Sequence, residues 1–277
     1  MSPDDIRALG ALSLSPDEQK DDEWAAGHYS VFMHEAMPVA SLFLSADGML
    51  GGSVSESAYA AVSSKALDMA TLASVPADHA GVLLYEAARV LESEGQPAAY
   101  RFVVHWLAPW LPLCTQAIQR LTAHQDFLDW ARRVEELLAT ACESEGSEGP
   151  GVLPEGEPED ILSNERTDLA RIGLYLATPA RSALFLTHSD IRVLSRALSL
   201  PIGFGSRARG LEGLLRSAVS YERVDDVCLA LESHIDETEA MWYGLERRAP
   251  GHWMDCWSSR LVQTRRTLRR LATEADG

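Results

Sequence analysis

Apolar residues in this chain recur every three or four positions, segment after segment, and nowhere alternate for long enough to cover one face of a sheet. That property restricts the chain to an all-α class, because a helical stripe is hidden from water by packing against other helices. Prolines and glycines cut the pattern into pieces. Pro38, Pro76, Gly95, Pro109, Pro112, Pro179, the stretch Pro201-Ile202-Gly203-Phe204-Gly205 and Pro250-Gly251 each end, start or kink a helix. Ser15-Pro16-Asp17-Glu18 supplies a capping serine, proline at the first helical position and a capping-box acid. It predicts a helix from about Pro16 through Trp24, Tyr29, Phe32 and Met33 toward Glu35, whereas residues 1–14 are polar and loosely apolar by turns and are assigned no element. Further helices are predicted from Ser53 or Ser55 to Leu72, from Asp78 to Gly95 and from Pro97 to Leu107. Others follow over about 113–122, 126–142, 161–176, 189–198, 207–219, 223–248 and 252–273. No fixed-period repeat and no sustained heptad run interrupts this pattern.

Residues 143–160, ESEGSEGPGVLPEGEPED, contain seven acids, three prolines and four glycines and almost no apolar side chains. Such a segment lacks the surface to be ordered by a core, so it reads as an exposed acidic linker. The domain expectation is a helical unit over 1–142, the linker over 143–160, and a C-terminal helical part over 161–277 that packs on the first. A chain of 277 residues with 46% hydrophobic content has ample material for a core.

The formal charge of −17 disfavours nucleic acid and anionic membrane surfaces as partners and attracts cationic ones. Cys114, Cys142, Cys228 and Cys256 stand singly, which reads as reduced, mostly buried thiols. The acidic opening Met1-Ser2-Pro3-Asp4-Asp5 is no secretory signal, and no apolar run approaches the length of a membrane span. A cytoplasmic location without membrane insertion is the expectation.

Two islands carry polar groups at helix ends. Pro76-Ala77-Asp78-His79 places an acid where a helix should start, suited to capping free amides and to orienting an imidazole. His105-Trp106-Leu107-Ala108-Pro109-Trp110 ends one helix and begins another. Paired tryptophans at such a kink are either core with satisfied indole N–H groups or the wall of an aromatic groove. Upstream, Pro38-Val39-Ala40-Ser41-Leu42-Phe43-Leu44 precedes a glycine-rich loop that reaches Gly52.

Over about 37–135 these segments resemble the TorD/DmsD family of redox-enzyme maturation chaperones, with its P-x-D-H, H-x-x-P-W and P-x-A-S-V-Y-L-D-x-x-x-x-L-x-G patterns. Val39 stands where many members have an aromatic residue and Ser45 where they have Asp. The resemblance implies a TorD-like helical bundle and a peptide-binding set of Pro76, Asp78, His79, Phe43, Glu86, His105, Trp106 and Trp110. Asp78 is then the expected partner of a leader arginine, since a carboxylate accepts two parallel hydrogen bonds from a guanidinium.

The implied function is a cytoplasmic chaperone that holds a molybdopterin oxidoreductase precursor by its twin-arginine leader until the cofactor is inserted. It would act as monomer or dimer, with no cofactor of its own and no bond-making. The alternative is a helical adaptor for a membrane-associated oxidoreductase that reads a folded subunit. A third is an enzyme for a small anion near Arg181, a residue also suited to a structural role. No nucleophile elbow, phosphate loop or H-E-x-x-H is present. His252 and Cys256 share a helical face without a third ligand at recognisable spacing, and His28 and His34 lie too far apart for a one-turn pair. The basic run Arg260, Arg265, Arg266, Arg269 and Arg270 reads as complementing the negative end of the last helix.

Overall fold

The computed structural model describes residues 1–14, 20–62, 75–145, 151–157, 161, 168–247 and 252–275. Among them the chain is all-α, with one isolated antiparallel bridge between Val39 and His79 and no strand. None of the described helices is long and apolar enough to cross a membrane.

Helix α1, Pro3–Leu14, occupies a stretch to which the sequence pattern assigns no element. Its signal is Ser2-Pro3-Asp4-Asp5: the Ser2 hydroxyl accepts from the Asp5 amide at 3.2 Å and donates to the Asp5 carboxylate at 2.7 Å. The capping signal at 15–18 lies outside the described residues. The helix expected from it is seen from α2, Asp22–His28, capped by the Asp21 carboxylate, and continues as a π-helical turn over Tyr29–Glu35.

Then come α3 (Ala40–Leu44), α4 (Gly52–Ala61), α5 (Ala80–Glu94), α6 (Gln96–Trp106), α7 (Leu111–Leu121) and α8 (Gln125–Glu145). The second half holds α9 (Leu169–Ala177), α10 (Pro179–Ser182), α11 (His188–Ala197), α12 (Arg207–Ser220), α13 (Val224–Glu246) and α14 (His252–Ala275). The part of the predicted 53–72 helix beyond Val62 lies outside the description.

Two glycine crossings bring helices closer than any side chain allows. A Cβ on Gly81 of α5 would meet Leu14 Cγ at 2.4 Å and the Gly10 carbonyl at 2.8 Å, which packs α1 onto α5. In the second half, a Cβ on Gly173 of α9 would meet the Ala208 carbonyl and the Glu212 amide of α12, both at 2.9 Å.

A single apolar core joins both halves, running from Ile6 through Trp110 and Trp130 to Trp257 and Leu271. The linker is where structure and expectation part. Residues 151–157 are docked: the Val152 amide donates to the His105 carbonyl at 3.0 Å and the Glu155 amide to the Leu44 carbonyl at 2.7 Å. Arg260, buried on α14, reaches the carbonyls of Ala180 at 2.5 Å, Cys256 at 3.1 Å and Pro154 at 3.3 Å, as well as that of Gly156. Backbone carbonyls of three chain segments thus satisfy one guanidinium, and burial lowers its pKa from the ordinary arginine value. Composition alone hid this, because the few apolar side chains of the segment, Val152 and Leu153, pack on the core while a buried donor takes up its backbone carbonyls. Of the remaining basic run, Arg265 pairs with Glu239 and Asp236 and Arg269 with Glu232, which ties α14 to α13.

Candidate functional site

The segments at 38–52, 76–80 and 105–110 close on one another. The Ala40 amide donates to the Asp78 carbonyl at 3.0 Å and the Ala80 amide to the Pro38 carbonyl at 2.7 Å, forming the bridge between Val39 and His79. Asp78 Oδ2 accepts the Ser41 amide at 2.8 Å, so a residue far along the chain caps α3 from outside. Ser41 Oγ in turn accepts the Gly51 amide at 3.1 Å. Phe43 lies against Trp110 with centroids 5.2 Å apart and against Phe185 at 4.6 Å. The Trp110 indole donates to the Trp106 carbonyl at 2.7 Å, and Trp257 of the second half donates to the Pro109 carbonyl at 2.6 Å.

The expected contact surface is therefore interior. Asp78 is 0% exposed, and its Oδ1 has no hydrogen-bond partner among the described residues. His79 Nδ1 accepts the Gly81 amide at 3.0 Å, capping α5, and burial pushes its pKa down to about 4, with His28 nearby adding to the shift. Glu86 is buried and takes both Nε and Nη2 of Arg89, at 2.9 and 2.7 Å. Phe43, Trp106 and Trp110 are buried, His105 is half-buried against Trp106, and Pro76 alone of the expected set is exposed. A leader arginine has no path to Asp78 in this conformation, because the carboxylate is fully buried, with Oδ2 on the backbone of α3. Arg181 has the structural role: its Nε donates to the Ala46 carbonyl at 2.7 Å.

The open site lies elsewhere. A pocket of about 390 Å³ is lined by His34, His188, Arg192, Arg196, Ile202 and Phe204, among others, with Phe204 fully exposed at its mouth. Glu35 lies beside its lining residues His34, His188 and Arg192. This buried carboxylate accepts from Arg192 Nη2 at 2.7 Å and from the Ser189 hydroxyl at 3.0 Å on Oε1, and from the Ser189 amide at 3.2 Å on Oε2. It therefore sits on the N-terminal end of α11, where the amide donors and the helix dipole favour negative charge.

His34 Nδ1 lies 4.0 Å from Oε1 and His188 Nδ1 lies 3.9 Å from Oε2, with the two rings 5.6 Å apart. Behind them Arg207 stacks over Phe185 at 4.8 Å, and burial lowers its pKa to about 10 against the opposing pull of Glu35. Sequence reasoning missed this cluster because Ser189 lies 154 residues beyond Glu35. Its available signals were the adjacent His34-Glu35 pair and the Gly203-x-Gly205 turn.

No family model, no curated protein and no solved structure matches this chain.

Proposed function

We propose that the protein is a client-binding chaperone of the redox-enzyme maturation kind, which holds an oxidoreductase precursor by its twin-arginine leader in the cytoplasm until a molybdopterin cofactor is in place. The observation that supports this is the closure of the three family-like segments into one unit whose outer residues include exposed apolar side chains with acids near them in sequence. Met49 and Leu50 of the glycine-rich loop and Tyr59 of α4 are exposed at 64%, 51% and 71%. Asp47 precedes them and Glu56 lies one turn before Tyr59 on the same outer face. Apolar side chains beside carboxylates suit a segment that carries arginines next to an apolar stretch. In this reading the motif residues shape the support and the loop and α4 touch the client, so Asp78 acts through the backbone of α3.

The test is fluorescence anisotropy of a labelled twin-arginine leader peptide with wild type and a Glu56→Gln/Tyr59→Ala double variant. Saturable binding is expected that weakens as salt rises, with affinity at least about tenfold lower in the variant, equivalent to about 1.4 kcal/mol. Absence of binding to wild type, or equal binding of a leader whose arginine pair is replaced by glutamines, overturns the reading.

A further inference from the structure

We propose that His34, Glu35 and His188 form a site for a divalent transition-metal ion of the zinc class, with an open coordination position facing the pocket under Phe204. The inference is independent of the chaperone reading. Each of the three residues offers one ligand atom, and these atoms lie within 4.8 Å of one another. Two imidazoles and one carboxylate are a donor set suited to such an ion.

Ligand availability is specific. A carboxylate has about four lone-pair positions. Arg192 and the Ser189 hydroxyl take up Oε1, whereas Oε2 receives only the Ser189 amide at 3.2 Å. The freer oxygen is the one that faces His188. The Nδ1 atom of His188 is itself buried and has no hydrogen-bond partner among the described residues, at 3.9 Å from that oxygen. Two acceptors facing each other at this separation are too far apart to share a proton in a normal hydrogen bond. The gap fits an ion bonded to both at about 2.0–2.1 Å, after a contraction of roughly half an ångström.

The surroundings supply the rest of a metal site. Arg192 and the α11 terminus hold Glu35 in place, as outer partners hold a ligating carboxylate. His34 is the exposed member and has freedom to swing in. The carboxylate and His34 come from the final turn of a π-helical segment, a rare conformation found disproportionately at functional sites. The three ligands leave a fourth position toward the pocket, whose wall carries Arg192 and Arg196, with Arg207 behind. These cations weaken affinity for a bare ion and favour an anion in the fourth place, so the loaded site would take a carboxylate-bearing or similar small anionic ligand.

Zinc and cobalt(II) titrations of the full chain, by calorimetry and by visible absorption of bound cobalt, test the proposal. One ion per chain is expected, with excess magnesium failing to displace it, because magnesium prefers all-oxygen sites. His34→Ala and His188→Ala should each lower zinc affinity at least about tenfold with circular dichroism unchanged, and Glu35→Gln should do the same while keeping the shape of the carboxylate. His34 is exposed, so its variant separates lost ligation from lost folding. Several outcomes would overturn the site: no zinc bound at micromolar concentration, undiminished binding in the histidine variants, or a thiolate-to-cobalt absorption band placing the ion at Cys256.

Discussion

Asp78 with His79 and Glu35 with His188 are built from the same two chemical groups, yet the first pair is closed inside the helical body and the second borders an open pocket. The difference follows from what each carboxylate holds. Asp78 holds the Ser41 amide of a five-residue helix that has no capping side chain of its own, and His79 caps the helix it begins. Each group accepts one backbone donor at the meeting of two segments, and both are buried. Glu35 is held by groups on α11, including a half-exposed arginine, and the neighbouring His188 keeps its Nδ1 without a hydrogen-bond partner among the described residues. Asp78 too keeps an unpartnered oxygen, Oδ1, among the described residues, so the difference lies in access: a polar group sealed in the core is structural, and one with free capacity beside an open pocket is available for a ligand.

The hardest blow to the closed region is Trp110→Ala. The side chain is fully buried between Phe43 and the α6–α7 bend, and its loss leaves a large cavity beside a carbonyl deprived of its donor. A destabilisation of about 3–5 kcal/mol is expected from chemical denaturation. At the open region Phe204→Ala should change stability by less than about 0.5 kcal/mol, because the ring is fully exposed. Similar losses from both would remove the distinction.

Acid provides the next largest contrast. His79 folds neutral, with its pKa pushed down to about 4 from an ordinary value of 6.5. The unfolded chain therefore binds the extra proton first. The contribution of His79 is whole above pH 6.5, is lost progressively as pH falls toward 4, and changes no further below that; over the window it amounts to about 3 kcal/mol. Denaturation midpoints across this range should fall more steeply for wild type than for His79→Asn, which keeps an acceptor for the Gly81 amide without the titrating ring. Parallel slopes would show that His79 gains a proton without unfolding cost, and hence that the closed region breathes.

Much of the second half was legible in sequence because its helices carry their own punctuation. Ser206 caps α12 and Thr187 with Asp190 forms a capping box on α11, both within a few residues of the predicted boundaries, while Thr178-Pro179, predicted as an interruption, opens the short α10. Helix α1 was missed although Ser2 and Asp5 carry the same signal, since its close packing rests on the backbone crossing at Gly10 and Gly81, which no local spacing shows. The site residues were less legible than the helices. An acid and a histidine after a proline read identically whether they face a ligand or a remote amide, and only the arrival of Ser41 decides it. The pocket cluster depends on His34 and His188 meeting across the fold, which no local spacing encodes.

Substitution of the two carboxylates themselves sharpens the contrast. Asp78→Ala strands the Ser41 amide inside the fold and should cost about 1–3 kcal/mol, the penalty for an unpaired buried donor. Asp78→Asn retains an acceptor oxygen and should recover most of that loss. If the alanine variant folds with wild-type stability, α3 does not depend on its external cap and the inward role assigned to Asp78 fails.

Among the charged groups, the smallest effect belongs to Arg192. Its guanidinium is half-exposed, and although its contact with Glu35 is short, ion pairs reached by solvent typically contribute about 0.2–1 kcal/mol. Glu35 would retain both Ser189 donors in Arg192→Ala, so the expected loss is below about 1 kcal/mol and should shrink further in high salt, which screens the charge attraction. A loss above about 2 kcal/mol that salt leaves unchanged would mean that Glu35 needs Arg192 to tolerate burial. The second carboxylate–histidine pair would then be as structural as the first, with no capacity left over for a ligand.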